Sequence, residues 1–210
     1  GDLFTMKITD LTDLIPEEIV KTRYPWCKDE RSITSAKKEV IGEILLKKYH
    51  ILSTMYSERF RKVTDLDQQR AGVDFSSYSH KVDLKVSIGD YTDGICNECI
   101  PIELTQNGKT TFTKDKETTD LLFCNVNLVT EKIYFVAVPY QVVLEIVDLN
   151  LNIDDSDIFS RLHPYYIYNK QTSYNGSAIF INMPLNTILN RVMVMEYPLN
   201  DDVLKVLKRK

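Results

Sequence analysis

The sequence predicts an α/β domain in which a central mixed β-sheet is flanked by helices. Three observations support this fold class. Apolar residues recur at helical spacing through residues 36–50, short segments after residue 72 alternate as strands do, and a second apolar helical pattern follows Pro139. A helix, a series of strands and another helix, in that order, are typical of a mixed α/β architecture.

The clearest predicted helix spans residues 36–50. Its apolar positions form one stripe, which consists of Ala36, Val40, Ile41, Ile44 and Leu45. Residues 32–35 offer polar side chains that can cap the N-terminus of this helix. Upstream of it, Tyr24, Pro25 and Trp26 form an aromatic cluster that we expect to pack on the core as a cap.

Short strands are predicted after this helix. They cover residues 72–75, 81–86, 100–104, 120–126 and 132–138, with a hairpin turn at 76–80. A short helix is predicted at 141–147, and the polar, acidic residues 148–157 are predicted to form a loop. Beyond this loop we expect a strand at 178–181 and a helix from Leu185 onward.

The chain has 210 residues, enough for one domain with a sizeable core. We expect a core with an N-terminal cap over residues 1–147 and an extension of the same domain over residues 148–210. No apolar run in the sequence approaches the ~20 residues that cross a bilayer. The N-terminus carries no recognisable secretion signal, so a cytoplasmic protein without a membrane partner is the expectation.

The formal net charge of −4 argues against a protein coated in lysine and arginine for non-specific DNA binding. It does not exclude a nuclease, because the carboxylates that gather a metal ion make such a site locally acidic. Phosphate contacts need only a local group of basic side chains.

Asp83 and Lys85 lie two residues apart in a predicted strand, so their side chains project from the same face. A carboxylate and an ammonium held in this way suit phosphodiester hydrolysis, because one can bind a divalent cation and the other can offset charge on phosphate. Asp74, at the end of the preceding strand, can reach the same cation across a short hairpin, and Gly72 permits close approach of the backbone there. Mg²⁺ or Mn²⁺ is the expected cation, since hard cations select oxygen ligands. The alternative is that these residues form a solvated strand face.

A helical acid is expected to complete the site. Glu39 and Glu43 are one turn apart, and both can also be surface charges paired with lysines. Glu43 falls at the margin of the apolar stripe, whereas Glu39 points almost directly away from it. We therefore predict that Glu43 is the acid that reaches the site.

Four further positions are predicted to support this chemistry. Glu103 faces away from the apolar side of its strand and is a candidate metal ligand, directly or through water. Gln106, which follows it, is a candidate for contact with phosphate or base. Arg70 belongs to a basic stretch and Lys81 shares the polar face of Asp83, so both are candidate substrate contacts, although a solvated surface charge remains the alternative for each.

The run Gln69-Arg70-Ala71-Gly72-Val73-Asp74, followed by Asp83-Leu84-Lys85, resembles the core of PD-(D/E)XK nucleases of the phage and mobile-element type. In that superfamily a helical glutamate precedes a Q-x-x-G-[IV]-D strand and an acid-x-Lys strand. The resemblance covers roughly residues 35–147 and departs from the family pattern at Val73, where the family name has proline. It implies a restriction-endonuclease-like core, a divalent metal and a nucleic-acid substrate. Carried across, Asp74 and Asp83 match the metal-binding acids and Lys85 the catalytic lysine, while Glu43 matches the helical acid loosely.

Other interpretations remain open at this point. Cys96 and Cys99 have the spacing of half a zinc site, but no second C-x2-C pair exists in the sequence, so zinc is not expected. The chain can instead be an inactive nuclease fold that binds nucleic acid or serves in assembly. DNA is the expected substrate, RNA is not excluded, and a homodimer is open because cutting both strands often needs two sites.

Overall fold

The computed structural model of the chain describes residues 6–89, 99–151, 166–171 and 177–208. These residues form seven α-helices and ten β-strands. The helices are α1 (Ile8–Thr12), α2 (Glu17–Arg23), α3 (Glu30–Lys48), α4 (Ile51–Tyr56), α5 (Leu66–Arg70), α6 (Tyr140–Leu151) and α7 (Asp201–Lys208). The strands are β1 (Arg61–Lys62), β2 (Phe75–Ser76), β3 (Lys81–Gly89), β4 (Cys99–Gln106), β5 (Lys109–Thr110), β6 (Asp120–Asn127), β7 (Lys132–Pro139), β8 (Tyr166–Gln171), β9 (Ser177–Pro184) and β10 (Met193–Pro198).

A six-stranded sheet has the strand order β1-β2-β3-β6-β7-β10. Its β3 and β6 strands are parallel and its other neighbours are antiparallel, so the sheet is mixed. A parallel pair needs a long crossover connection. Here the connection contains β4 and β5, which belong to a second sheet of four strands in the order β5-β4-β9-β8.

Two apolar cores lie on the two faces of the six-stranded sheet. Successive side chains of a strand point to opposite faces, and along β6 Leu122 and Cys124 enter one core while Leu121 and Phe123 enter the other. The first core includes the apolar stripe of α3, and the second includes α6 and β4. The domain is therefore mixed α/β with a mixed central sheet flanked by helices, as the sequence predicts.

Helix α3 begins earlier than predicted. The side chain of Asp29 accepts a hydrogen bond from the backbone N–H of Ser32 at 2.7 Å, which makes Asp29 the N-cap. The helix consequently starts at Glu30 rather than near residue 36. At its other end His50 has a positive φ of 50°, which separates α3 from α4.

Most predicted strands are confirmed as parts of longer ones. Residues 81–86, 100–104, 120–126, 132–138 and 178–181 all lie within strands. The strand predicted at 72–75 is displaced, because only Phe75 and Ser76 pair as β2. The predicted helix 141–147 lies within α6, which continues to Leu151, where the side chain of Asn150 donates to the backbone oxygen of Ile146. Residues 148–151, which were predicted to be part of a loop, are helical. The rest of the predicted loop lies outside the described residues.

The prediction of a helix from Leu185 onward is wrong for residues 185–198. Two short 3₁₀ turns, Leu185–Thr187 and Leu189–Arg191, are followed by β10, and only α7 is helical beyond them. Strand β10 pairs along its whole length with β7, from Met193 opposite Ala137 to Pro198 opposite Lys132. This long-range pairing completes the sheet and outweighs the local helical pattern. None of the described helices is both long enough and apolar enough to cross a bilayer.

Candidate metal and catalytic site

The predicted acids lie at an open edge of the six-stranded sheet. Strand β2 is two residues long and pairs only with Lys81 and Val82 of β3. Beyond Val82, no described strand covers this side of β3. The backbone N–H of Leu84, which a longer strand would bond, instead donates to Oδ2 of Asp74 at 2.7 Å. The site thus occupies a notch at the edge of the sheet.

Asp74 and Asp83 form a carboxylate pair in this notch. Since Phe75 lies opposite Val82 in the antiparallel register, Asp74 and Asp83 are the next positions across the two chains. Burial, followed by the negative charge of Asp83, raises the pKa of Asp74 well above its ordinary value. The pair therefore favours a shared proton or a bound cation over two uncompensated charges.

Lys85 supplies the positive charge beside this pair. Its Nζ lies 3.3 Å from Oδ2 of Asp83, and the lysine side chain is 45% exposed. The charge of Asp83, with further contributions from Asp74 and Glu103, raises the pKa of Lys85 above its already high ordinary value. The ammonium group consequently stays charged near neutral pH and remains accessible to a ligand.

Glu39 is the acid of α3 that lies next to the pair. Its carboxylate is solvent-accessible in a cleft, near Tyr24. Partial desolvation raises the pKa of Glu39, the charge of Lys85 lowers it, and the charge of Asp83 raises it again. Glu39 also contributes to the raised pKa of Asp74. The two aspartates, Lys85 and Glu39 are hereafter called the acid cluster.

Gly42 explains how α3 comes so close to β3. A Cβ atom placed on Gly42 would lie 2.3 Å from Cγ2 of Val86 on β3, which is closer than side-chain atoms can pack. Glu39 is three residues before Gly42 and therefore projects from the same side of the helix. Only glycine at position 42 allows the helix to bring Glu39 this close to the sheet edge.

Glu43, the acid predicted from the helical wheel, has other partners. Its Oε2 accepts a hydrogen bond from Nζ of Lys62 at 2.8 Å and another from the guanidinium of Arg23. Burial raises the pKa of Glu43 to about 7, while the charge of Arg23 opposes this increase. The side chain is at the margin of the core, as predicted, but it is held in an ion-paired group with Arg23 and Lys62.

The remaining predicted residues are divided between the site and its surroundings. Glu103 lies near Lys85, and its Oε1 accepts a hydrogen bond from the hydroxyl of Thr111 at 2.7 Å. Gln106 is exposed at the end of β4 and is not among the described residues that line the two cavities beside the cluster. Lys81 forms an ion pair with Glu117, with a distance of 2.9 Å between Nζ and Oε2.

Two cavities meet at Glu39. The larger has a volume of about 630 Å³ and is lined by residues that include Trp26, Arg70, Asp74 and Glu39. The smaller, of about 270 Å³, includes Lys85 and Glu103 as well as Glu39. Arg70 is thus placed beside the acid cluster, on the side opposite Glu103, and its contact with substrate stays a prediction.

Sequence reasoning missed Glu39 and the aromatic wall of the larger cavity. The helical-wheel argument selected the acid nearest the apolar stripe, whereas the site lies at an open edge of the sheet, beside the core. Gly42 was the available signal, because a glycine inside a helix often marks a close approach to another element. Tyr24 packs against the core as expected, but Trp26 is 41% exposed and faces the cavity.

The donor set of the acid cluster fits a hard divalent cation. Within the described residues, no group of three or more His, Cys, Asp or Glu side chains is arranged to hold a metal ion. Mg²⁺, however, is commonly bound through one or two carboxylates, with water and substrate phosphate completing its shell, and the Asp74–Asp83 pair meets that requirement. Cys96 lies outside the described residues, and Cys99 is disulfide-bonded, so its sulfur is not a thiolate ligand for zinc.

No protein-family model, curated protein or solved structure matches this chain.

Proposed function

We propose that this chain is a metal-dependent nuclease that hydrolyses phosphodiester bonds in DNA. The observation that carries the proposal is the geometry of the acid cluster. Two adjacent carboxylates lie beside a charged lysine, with Nζ of Lys85 3.3 Å from Oδ2 of Asp83, at an accessible notch of the sheet. This combination of groups suits a reaction in which negative charge accumulates on a phosphate.

Asp74 and Asp83 hold the divalent cation in this proposal. Their proximity is unfavourable without a positive charge between them, so binding of a cation displaces the proton that the raised pKa of Asp74 favours. When bound, Mg²⁺ or Mn²⁺ supplies Lewis-acid stabilisation of the charge on the phosphate oxygens. The hydrogen bond from Leu84 fixes Oδ2 of Asp74 and so orients this carboxylate.

Lys85 acts as a cation rather than as a base. Its raised pKa keeps the ammonium group protonated, so it cannot accept a proton from water near neutral pH. It can donate hydrogen bonds to the attacking water or to a phosphate oxygen, which stabilises charge that develops during the reaction.

Glu39 is the residue best placed to handle the proton of the attacking water. It is accessible, lies beside Asp83 and Lys85, and has a raised pKa, which makes it a better proton acceptor than an ordinary carboxylate. We assign this role to Glu39 in place of Glu43, whose carboxylate is bonded to Arg23 and Lys62.

We also propose that the domain has a restriction-endonuclease-like core of the PD-(D/E)XK type. Helix α3 carries the helical acid, the β2–β3 hairpin carries both aspartates, and α6 lies in the core on the other face of the sheet. This order of a helix, acid-bearing strands and a second helix supports the resemblance seen in the sequence.

The experiment that tests the proposal is cleavage of linear, supercoiled, single-stranded and branched DNA, with a matched RNA, in the presence of Mg²⁺ or Mn²⁺. Lys85→Ala is expected to lower the cleavage rate by about 10²- to 10³-fold, the loss typical when a group that stabilises developing charge is removed. The matched control is Lys132→Ala, which removes another exposed strand lysine that pairs with an acid, Glu196, at 2.9 Å.

Metal-dependent cleavage that Lys132→Ala retains and Lys85→Ala loses would support the assignment. Equal cleavage by wild type and Lys85→Ala would overturn it. If no substrate is cut and calorimetry detects no Mg²⁺ or Mn²⁺ binding, the chain is better described as an inactive fold that binds nucleic acid or serves in assembly.

A further inference from the structure

The cavity between α3, α5 and the loop that joins α2 to α3 continues directly from the acid cluster. Its volume is about 630 Å³, within the range of roughly 300–1,000 Å³ that is typical of ligand sites. Asp74 and Glu39 lie in its wall, so a molecule bound there touches the same acids as the scissile phosphate. The cavity is therefore positioned to hold the part of a substrate next to the cleaved bond.

The other walls of this cavity combine aromatic and cationic groups. Trp26, the only tryptophan of the chain, is 41% exposed and contacts the edge-on ring of Tyr24, with ring centroids 5.7 Å apart at 85°. Arg70 projects from the last turn of α5 into the same space. An exposed indole can stack on a nucleobase, and a guanidinium can bind phosphate.

We infer that this cavity binds an unpaired stretch of DNA, with a base stacked on Trp26 and a phosphate on Arg70. This inference rests on the proposed nuclease function and names the form of its substrate. A recess between α3, α5 and the loop that carries Trp26 can admit the bases of one strand, whereas stacked base pairs in a duplex keep their faces covered. The accessible indole needs a free base face as its partner.

A single DNA strand bound in this way leads past the cleavage site. The smaller cavity, on the other side of Glu39, contains Lys85 and the ring of Phe112, whose centroid lies 6.0 Å from Nζ of Lys85. The DNA strand then runs from the cavity of Trp26, past Asp74 and Glu39, to the cavity of Lys85. Its scissile phosphate then lies at the acid cluster, between two segments that the protein contacts.

Trp26 gives a direct readout of binding that does not require cleavage. We would titrate the full chain with oligothymidylate of roughly ten nucleotides, a length within the usual range of single-strand sites, in EDTA and low salt. Tryptophan fluorescence should be quenched, and a duplex of equal length should bind about tenfold more weakly. Comparable affinity and quenching with the duplex would overturn the inference.

Two variants separate the stacking contact from the phosphate contact. Measured by anisotropy of a labelled oligonucleotide, Trp26→Ala should bind about tenfold more weakly, and Tyr78→Ala, which removes a fully exposed ring, should bind as wild type does. Arg70→Ala should reduce the slope of log K against log salt by about 0.7, whereas Lys205→Ala, on α7, should not. Wild-type affinity in Trp26→Ala would contradict the inference.

The binding and cleavage results can fail independently. If Mg²⁺-dependent cutting of duplex DNA occurs without fluorescence quenching by a single strand, the nuclease assignment stands and the single-strand site is wrong. If a single strand quenches Trp26 but is never cut with Mg²⁺ or Mn²⁺, the binding site stands and the nuclease assignment is wrong.

Discussion

Two groups of charged residues lie one helical turn apart on the same side of α3, and they differ in how their charges are balanced. Around Glu43, two cations, Arg23 and Lys62, bond to one carboxylate. Around Asp83, one cation, Lys85, lies among the carboxylates of Asp74, Asp83 and Glu39. The carboxylate of the first group is fully paired and that group has an excess of positive charge, whereas the second group has an excess of negative charge.

This difference indicates what each group does for the protein. A carboxylate held by two cations stabilises the packing of α2 and β1 against α3, and a ligand would have to displace those cations to reach it. Neighbouring carboxylates such as these, among which Asp74 and Glu39 have raised pKa values, cost stability in the absence of a cation. The presence of such carboxylates at an accessible notch is typical of a functional site, where a ligand supplies the missing positive charge.

The largest expected effect comes from Asp83→Asn, which removes one carboxylate of the pair. Cleavage should fall on the order of 10³-fold, because both a cation ligand and the partner of Lys85 are lost. The free energy of unfolding should stay equal or rise, since the amide can donate a hydrogen bond to Asp74 and the repulsion between the carboxylates disappears. Urea unfolding and steady-state cleavage, measured on the same preparation, check both parts.

A clear loss of stability in Asp83→Asn would contradict this account. It would mean that the Asp74–Asp83 pair supports the fold, as the Glu43 group does, and that its charge excess has no functional meaning. Isothermal titration with Mg²⁺ gives an independent check, because affinity for the cation should decrease in the same variant.

The comparison between Glu39→Gln and Glu43→Gln tests the choice of helical acid. Glu39→Gln should lower cleavage on the order of 10²-fold, as expected on loss of a proton acceptor, with little effect on stability. Glu43→Gln should leave cleavage within about twofold, because the Glu43 carboxylate is bonded to Arg23 and Lys62. The opposite pattern would restore Glu43 as the functional acid.

A smaller effect is expected from Gly42→Ala, which tests how α3 positions Glu39. The added methyl group meets Cγ2 of Val86 and should lower the free energy of unfolding by about 1–3 kcal/mol, as overpacking does. Displacement of the helix should also lower cleavage, by less than Glu39→Gln does. The double variant Gly42→Ala with Val86→Ala removes the clash, so it should recover much of the activity. Failure of this rescue would mean that Gly42 is not what sets the distance between α3 and β3.

The strand-borne part of the acid cluster was accessible from sequence because its determinants are local. Asp83 and Lys85 are two residues apart on one strand, and the short hairpin brings Asp74 alongside. Gly72, with φ of 88°, lies where an added Cβ would be 3.3 Å from Oδ2 of Asp83, so the predicted close approach of the backbone is also present. Alternation along a strand and a short connection were sufficient for these positions.

The parts that sequence reasoning missed depend on contacts between distant segments. The helical wheel gives the direction of the core but not the position of a sheet edge, so it favoured Glu43 over Glu39. Strand β10 forms only because β7 offers an unpaired edge to it, and the residues 193–198 alone did not indicate this. The cavity of Trp26 likewise requires α3, α5 and the loop between α2 and α3 to be assembled around it.

The smallest expected effect concerns Glu58, whose charge, unlike that of Asp74, is fully compensated by hydrogen bonds. Its carboxylate accepts from the hydroxyls of Ser77 and Ser79 and bonds Nδ1 of His80 at 2.9 Å, which ties the turn of the β2–β3 hairpin to the segment before β1. These bonds, that from Ser77 first, lower the pKa of Glu58 to about 2 from an ordinary 4.5.

A lowered pKa stabilises the fold above the ordinary value of 4.5, and this contribution disappears as the pH falls toward 2. Wild type should therefore unfold at a slightly higher urea concentration than Glu58→Gln near neutral pH, and the two curves should converge as the pH approaches 2. For Asp74, Glu39 and Glu43 the sign is reversed, because a group with a raised pKa makes the fold gain stability on acidification. These groups are the same in wild type and in Glu58→Gln, so the difference between the two unfolding free energies at each pH reports on Glu58 alone. A difference that stayed constant between pH 5 and 2 would mean that the hydrogen bonds to Glu58 do not depend on its charge, and that the hairpin bearing Asp74 and Asp83 is held by other contacts.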